Sequence, residues 1–310
     1  MALIGTTDLD VFPLSLGGNV FGWTADEETS FAVLDAYAAA GGNFVDTADT
    51  YSSWVPGHSG GESELLIGSW LGKRGRRDDV VVATKVGSHP DFKGLRAATI
   101  KAAAEESLRR LGTDHIDLYY THHDDVGTPV EEIVGAMDAL VREGKVRYIA
   151  ASNISAERLT ASLEFSDREG LAKYVALQQH YNLVERDYEG PLREVVRAHG
   201  LASVPYFGVA RGFLTGKYRP GVAVDSARAG GAGAYLESER GPRVLAALDE
   251  VAAAHGAEPA SVALAWLRSR PTVVAPIASA RTPEQLPALL ASVELELTAQ
   301  ELELLTEASA

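Results

Sequence analysis

Four residues in the first half of the chain have the side-chain types needed to donate a proton to a carbonyl oxygen. They are Asp46 and Tyr51, which share one short segment, followed by Lys85 and His122. Lys85 near Tyr51 is expected to favour the phenolate and to lower the phenol pKa from its usual value of about 10. Asp46 is expected to pair with Lys85 and keep it charged, and His122 to orient a bound carbonyl. Together these side chains indicate general acid catalysis on a C=O group at neutral pH.

Short apolar segments rich in β-branched residues recur along the chain and alternate with longer segments of helical periodicity. The predicted strands are residues 13–16, 43–47, 80–86, 115–122, 146–152, 174–180, 202–207 and 272–278. Eight strands alternating with helices predict a closed (β/α)8 TIM barrel, with one domain over residues 1–310. The nearly continuous apolar character of these segments is typical of parallel strands that are covered on both faces.

An open doubly wound sheet is the alternative fold for such an alternation. That fold usually has fewer strands and a glycine-rich first turn, and the chain contains no G-x-G-x-x-G. Residues 3–11 predict an N-terminal β-hairpin that closes the barrel bottom, and extra C-terminal helices are expected after the last strand. The Gly- and Ala-rich stretch 222–234 has no periodicity and predicts a long mobile loop.

In a barrel of this kind, functional residues lie at the C-terminal ends of the strands. Asp46, Lys85 and His122 end the second, third and fourth predicted strands, and Tyr51 lies in the loop behind the second. Each residue alone has a simpler explanation, such as an Asp that caps a turn or an aromatic that packs in the core. Their occurrence at successive strand ends favours a shared catalytic role.

The segments around these residues resemble the motifs of the aldo-keto reductase family. The resemblance is carried by residues 43–51, 61–64, 83–85, 117–122, 151–153, 178–182, 212–217 and 276–285, which span nearly the whole chain in order. It implies a (β/α)8 barrel and NADP-dependent reduction of a small-molecule aldehyde or ketone. It also implies that Tyr51 is the proton donor, assisted by Lys85, Asp46 and His122.

The same resemblance assigns residues to the nicotinamide end of an NADPH cofactor. Ser152, Asn153 and Gln178 match the family residues that hold the nicotinamide carboxamide, and Tyr206 matches the aromatic on which the ring stacks. Hydrogen-bonding side chains can hold an amide, and an aromatic face can support a flat ring.

The adenosine half of the cofactor is matched by Ser279, Arg281 and Gln285. A guanidinium has a suitable shape for phosphate, so Arg281 is expected to bind the 2′-phosphate and to favour NADPH over NADH. The chain departs from the family where Phe207 replaces a small polar residue near the pyrophosphate. Arg211, in the following loop, is expected to supply a phosphate contact instead.

Composition excludes several other classes of function. The net charge is −15 and no basic stripe is present, which argues against nucleic acid as a partner. The absence of cysteine excludes disulfides, thiolate catalysis and cysteine-bound zinc. No secretion signal or membrane-spanning stretch is expected, which predicts a cytoplasmic protein without a membrane partner.

Two local motifs and two tryptophans need separate interpretation. Residues 57–61 match G-x-S-x-G, but no strand is expected before Ser59, so a nucleophile elbow is not predicted. The consecutive residues 122–125, His-His-Asp-Asp, point alternate side chains apart, so no metal site is expected. Trp23 and Trp54, each in a loop beyond an early strand, are predicted walls of a substrate pocket.

Two rival functions remain open at the level of the sequence. Lys85 could act as a Schiff-base amine in a barrel lyase or isomerase, which needs no nicotinamide. Alternatively, the chain could be an NADPH-binding regulatory or sensor module with slow turnover, as some proteins that resemble this family are. An intact pair of Tyr51 and Lys85 argues against an inert site.

Overall fold

The protein, described by a computed structural model over residues 1–226 and 228–310, contains an eight-stranded parallel sheet. The strands are β1 (Ser15–Gly17), β2 (Phe44–Asp46), β3 (Val81–Val86), β4 (Ile116–Thr121), β5 (Val146–Ser152), β6 (Tyr174–Gln178), β7 (Ala202–Ser203) and β8 (Ile277–Ala278). They pair in the order β7-β6-β5-β4-β3-β2-β1-β8. A parallel bridge between Ser203 and Val273, just before β8, joins the two ends of the sheet. The predicted (β/α)8 barrel is therefore confirmed.

Helices follow the strands and cover the outside of the sheet. Within the described residues they are α1 (Glu27–Ala39), α2 (Glu62–Arg74), α3 (Ala97–Leu111), α4 (Val130–Arg142), α5 (Ala156–Glu169), α6 (Pro191–Ala198), α7 (Ala229–Gly233), α8 (Arg240–His255), α9 (Pro259–Arg268), α10 (Leu286–Leu290) and α11 (Ala299–Ala308). Asp26 and Ser155 cap α1 and α5 through their side chains. Thr298 and Glu301 form a capping box at α11. The extra C-terminal helices are thus present as α10 and α11.

The barrel interior is an apolar cluster that is separate from the larger core between the sheet and the helices. Phe44, Leu118 and Tyr120 are buried in this interior. Ala2–Leu3 pairs with Asp10–Val11 as the predicted hairpin, and Ile4 and Leu9 join the interior cluster. The hairpin therefore closes one end of the barrel and leaves the other end for the site.

The strands predicted at residues 202–207 and 272–278 are much shorter in the structure, where they are β7 and β8. The backbone beyond their regular ends still forms hydrogen bonds with the neighbouring strands. Regular pairing of β7 ends at Ser203, because Pro205 has no N–H to donate. The carbonyl of Pro205 nevertheless accepts from the Ile277 N–H at 2.8 Å, and the Tyr206 N–H donates to the Gln179 carbonyl at 3.0 Å. These bonds hold residues 204–206 against both neighbours and fix the position of the Tyr206 ring.

The prediction of a loop throughout residues 222–234 is wrong in part. Ala229–Gly233 forms α7, and a 3-10 helix begins at Ala234, while Ala227 lies outside the described residues. A Cβ on Gly231 would lie 2.9 Å from Nη1 of Arg211, so the small side chains of this stretch permit close packing. The absence of apolar periodicity reflects that close packing, which alternation rules do not detect.

None of the helices in the part of the chain that the structure describes is long and apolar enough to cross a membrane.

Candidate active site

The predicted proton-donating residues meet at the C-terminal end of the barrel. Lys85 Nζ donates to Asp46 Oδ2 at 2.7 Å, to the Thr47 carbonyl at 2.6 Å and to the Tyr51 hydroxyl at 3.0 Å. The Tyr51 hydroxyl also donates to Asp46 Oδ2 at 3.4 Å. The His122 ring meets the Tyr51 ring edge-on, with centroids 6.0 Å apart. Side chains from β2, β3 and the residue after β4 therefore surround one hydroxyl group.

Barrel stagger explains why residues at different heights on their strands come together. Asp46 in β2 pairs with Ala83 in β3, so Lys85 lies one side-chain repeat further along β3 on the same face. Lys85 in turn pairs with Tyr120 in β4, two residues before His122. The long lysine side chain crosses the offset and reaches back to Asp46.

Lys85 and Asp46 form an ion pair that is almost completely removed from solvent, with side chains 0% and 2% exposed. Burial lowers the pKa of Lys85, and the Asp46 carboxylate opposes that shift. Gln178 at the end of β6 donates from Nε2 to Asp46 Oδ1 at 2.8 Å. Both carboxylate oxygens therefore have donors, which fixes the acceptor that holds Lys85.

The expected lowering of the Tyr51 pKa by Lys85 is wrong. Burial is the largest cause that raises the pKa of Tyr51 well above its ordinary value, and the Asp46 carboxylate adds to the shift. Lys85 is at hydrogen-bond distance as expected, but its charge is already paired with Asp46. Tyr51 is thus held in its protonated form, the form that a general acid needs.

His122 is held as a neutral imidazole. Burial, followed by the nearby Lys85 charge, lowers the pKa of His122 well below its ordinary value. Its Nδ1 is buried and has no hydrogen-bond partner among the described residues. His123 stacks on it, with ring centroids 4.9 Å apart at 14°. A neutral ring packed in this way can polarise a carbonyl oxygen without competing as a strong acid.

The residues assigned to the nicotinamide lie beside this group. Ser152 and Gln178 end β5 and β6, and Asn153 follows β5 with a left-handed φ of 49°. Asn153 Nδ2 donates to the His122 carbonyl at 2.9 Å, and its Oδ1 accepts from the Tyr206 hydroxyl at 2.8 Å. The Tyr206 ring stacks on His180 at 5.3 Å. The Tyr206 ring and the Asn153 side chain therefore position one another.

The residues assigned to the adenosine half lie in the loop after β8. Ser279 Oγ donates to Asn19 Oδ1 at 2.7 Å, and the Arg281 N–H donates to Gln285 Oε1 at 2.9 Å. The Arg211 guanidinium lies 4.8 Å from the Phe207 ring centre. No ion-pair partner for Arg211 or Arg281 is found in the described ranges, so both cations are available to an anion.

All the predicted site residues except Lys85 line a single cavity of about 760 Å³, and Lys85 lies behind Tyr51. Trp23 and Trp54 meet edge-to-face with ring centroids 5.5 Å apart, and Trp54 also contacts the Tyr51 ring. These aromatic rings line the cavity beside the Tyr51 ring, and their role as walls of a substrate pocket stays a prediction.

The cavity also contains residues that the sequence interpretation missed. They include Asn19, His123, Lys217 and Arg228. Lys217 lies in a segment that carries the family resemblance, and Asn19 follows a strand end, so both had a usable signal. Arg228 lies in the stretch 222–234, which offers no pattern that could have identified it.

Of the two other motifs, residues 57–61 are not among the residues that line the cavity, whereas His122 and His123 line it. Ser59 is exposed, and its N–H donates to Glu62 Oε1 at 2.8 Å in the turn before α2. No group of three or more His, Cys, Asp or Glu side chains arranged to hold a metal occurs in residues 1–226 or 228–310.

Asp49 is a fully buried carboxyl near the site, and neither of its oxygens has a hydrogen-bond partner among the described residues. Burial, then the charge of Glu64, raises the pKa of Asp49 well above its ordinary value. The native state therefore keeps a proton that the unfolded chain releases above about pH 3.9. Stability due to this proton is full below that pH and is lost as pH rises toward the native pKa.

Asp49→Asn is consequently expected to stabilise the protein at pH 7 by on the order of 1 kcal/mol, or roughly 2 °C in Tm. The gain should vanish below about pH 3, where both states hold the proton. Thermal unfolding followed by circular dichroism at the two pH values measures the difference. Asp78→Asn, at an exposed position, is the matched control and should show no such dependence. Destabilisation at pH 7 would mean that Asp49 acts there as a carboxylate.

Comparison with known proteins agrees with this geometry. The model of the Aldo/keto reductase family matches residues 13–310. The chain is 36% identical over 313 residues to the uncharacterized oxidoreductase YrpG of Bacillus subtilis (strain 168), with 98% of this chain and 94% of that protein covered. It is 32% identical over 319 residues to Protein tas of Escherichia coli (strain K12), covering 94% and 92%.

A third relative, norsolorinic acid reductase stcV of Emericella nidulans, is 33% identical over 309 residues, covering 94% of this chain and 76% of that protein. The chain belongs to the aldo/keto reductase family. Its relatives include named oxidoreductases, which supports an oxidoreductase that acts on carbonyl groups in general.

Proposed function

We propose that the protein reduces aldehydes or ketones to alcohols with NADPH, and that Tyr51 donates the proton. The observation that carries the proposal is the Tyr51 hydroxyl, which lies 3.0 Å from Lys85 Nζ at the base of a cavity with aromatic and cationic walls. NADPH, when bound, supplies the hydride that adds to the carbonyl carbon. Side chains of the protein would supply the proton and stabilise the charge that develops on the carbonyl oxygen.

The carbonyl oxygen accepts the Tyr51 proton as negative charge develops on it. The Lys85 ammonium is already directed at the Tyr51 oxygen, so it stabilises the phenolate as the proton leaves. Asp46 holds Lys85 in place, and neutral His122 donates a hydrogen bond to the same carbonyl oxygen. These groups need no reorientation during the reaction, which is the condition under which electrostatic catalysis is effective.

The residues present suit the cofactor. The cavity volume lies in the upper part of the range of about 300–1,000 Å³ for small-molecule sites. Gln178 uses its Nε2 on Asp46, which leaves its carbonyl oxygen for the carboxamide that Ser152 and Asn153 would also hold. Tyr206 would support the nicotinamide ring, while Arg281 and Arg211 would bind phosphates. Cations without partners in a chain of net charge −15 fit such a polyanion.

The rival functions receive less support. A Schiff base would require Lys85 to give up its bonds to Asp46, the Thr47 carbonyl and Tyr51 at full burial. A purely regulatory NADPH-binding module would have no use for a complete proton-donating group. We therefore favour the reduction of a small-molecule carbonyl compound over both the Schiff-base function and the regulatory function.

Cofactor titration followed by protein fluorescence tests the proposal. The wild type is expected to bind NADPH at least about tenfold more tightly than NADH, and Arg281→Met to lose that preference, because a charge-assisted bond to the 2′-phosphate contributes about 1.5–3 kcal/mol. Binding of NADH should be unchanged. Arg109→Met, on the exposed face of α3, is the matched control. If neither cofactor binds, the reductase proposal is wrong and Lys85 becomes a Schiff-base candidate.

A further inference from the structure

His180, two residues after the end of β6, lies directly behind the Tyr206 ring. The two rings are nearly parallel, at 12°, with centroids 5.3 Å apart, and a parallel β-bridge joins the two backbones. The Phe207 ring meets the His180 ring edge-on, with centroids 5.4 Å apart. Tyr206 lines the cavity, whereas His180 is not among the residues that line it. The imidazole therefore stacks on the Tyr206 ring from outside the cavity.

One ring nitrogen of His180 is buried without a partner. Its Nε2 accepts or donates no hydrogen bond among the residues that the structure describes. Most buried polar atoms in native proteins are hydrogen-bonded, so an exception of this kind needs an explanation. An imidazole is also the side chain whose charge changes nearest to neutral pH. The position thus provides a charge that a proton can switch on, directly behind the ring that we assign to the nicotinamide.

Charged side chains from the segments after β6 and β7 act on the pKa of His180 in opposite directions. Burial is the largest cause and lowers that pKa from its ordinary value, after which Glu185 raises it, Arg211 lowers it and Asp187 raises it. Tyr206 stays neutral, because burial raises the pKa of its phenol. Arg211 is one of the cations that we assign to the cofactor phosphates, and an anion bound there would cancel its effect on His180. Cofactor binding is therefore expected to raise the pKa of His180 towards neutrality.

The nicotinamide ring carries a positive charge in NADP⁺ and none in NADPH. A neutral aromatic face attracts a cationic ring, and a cation behind that face opposes the attraction. We propose that His180 is a positioning residue that acts on the cofactor through the Tyr206 ring, and that its protonation weakens the binding of NADP⁺ relative to NADPH. The inference rests on the proposed reductase function. It implies that NADP⁺, a product of carbonyl reduction, is released more easily as the pH falls.

The test measures the Kd of NADP⁺ and the Kd of NADPH by protein fluorescence between about pH 8 and about pH 5.5. Both cofactors carry the same phosphates, so the titration of those groups cancels in the ratio of the two constants. In the wild type, the Kd of NADP⁺ divided by that of NADPH is expected to rise by about threefold as the pH falls, within the limit of about tenfold for two unit charges on either side of one ring. His180→Phe keeps an aromatic ring against Tyr206 but takes no proton, so its ratio should not depend on pH. His199→Gln, at an exposed position after α6, is the matched control and should keep the wild-type dependence.

The titration of His180 itself gives a second measurement. Coupling between two binding events is reciprocal, so a proton that weakens NADP⁺ binding must in turn bind more weakly when NADP⁺ is present. The pKa of His180 is therefore expected to be lower in the NADP⁺ complex than in the NADPH complex. Carbon NMR of the protein with labelled histidine follows this titration, and the resonance of His180 is identified by its absence from the spectrum of His180→Phe.

Other results overturn the inference and are distinguishable from failure of the proposed function. If the ratio of the two constants is independent of pH in the wild type, or changes in His180→Phe as it does in the wild type, then His180 is a packing residue only. The inference is also wrong if His180 titrates identically in the two complexes. In each of these cases both cofactors still bind, and the reductase function stands. If neither NADP⁺ nor NADPH binds, the proposed function fails, and this inference fails with it.

Discussion

Tyr51→Phe is expected to lower kcat for aldehyde reduction by about 10²–10⁴-fold and to leave the Kd of NADPH unchanged, since that is the usual contribution of a positioned general acid. The substitution removes only the hydroxyl. The ring keeps its edge contacts with Trp54 and His122, and Lys85 keeps its bonds to Asp46 and the Thr47 carbonyl. The measurement is single-turnover oxidation of bound NADPH with a saturating aldehyde.

A tyrosine at the opposite end of the barrel is the control for this substitution. The Tyr148 hydroxyl donates to Asp8 Oδ1 at 3.0 Å on the exposed bottom, so Tyr148→Phe should leave kcat unchanged. If Tyr51→Phe retains activity within a few-fold of the wild type, another group supplies the proton. His122 would then be the first candidate, although its lowered pKa makes it a poor acid in this structure.

The raised pKa of Tyr51 changes the role expected for Lys85. A lysine that lowered the phenol pKa in the resting site would populate the phenolate, which cannot donate a proton. The structure instead keeps the phenol protonated and places the ammonium 3.0 Å from its oxygen. The interaction of Lys85 with the Tyr51 oxygen therefore strengthens as the proton leaves, and an interaction that is stronger in the transition state than in the ground state raises kcat.

The positions of Asp46, Lys85 and His122 at strand ends were enough to predict that they lie close together. The local sequence determines both the alternation of side chains along a strand and the order of the strands in the barrel. The hydrogen bond from Gln178 to Asp46 joins β6 to β2, and the two residues are 132 positions apart in the sequence. It could not be predicted from local sequence, because it depends on the closure of the barrel. Neither the direction of the Tyr51 pKa nor the place of Arg228 follows from local pattern. The first depends on total burial, and the second on small residues that allow α7 to pack against Arg211.

The free energy of unfolding is also expected to depend strongly on the buried ion pair of Lys85 and Asp46. Lys85→Met leaves the Asp46 carboxylate buried without its cation, which is expected to destabilise the native state by about 3–5 kcal/mol. Urea unfolding followed by circular dichroism measures the change. Lys73→Met, which breaks the exposed pair with Glu27, is the matched control and should have little effect, because that pair is 62% and 57% exposed.

The double variant Lys85→Met with Asp46→Asn separates the charge from the packing. Removing both partners eliminates the unpaired carboxylate, and an amide can still accept the Gln178 hydrogen bond, so the double variant is expected to be more stable than Lys85→Met alone. It should still fail to reduce aldehydes, because no ammonium faces Tyr51. The contrary result is a loss of unfolding free energy in the double variant equal to the sum of the losses in Lys85→Met and Asp46→Asn. The destabilisation would then come from lost packing. In that case the ion pair acts in catalysis alone and contributes nothing to holding the strands β2 and β3 in place.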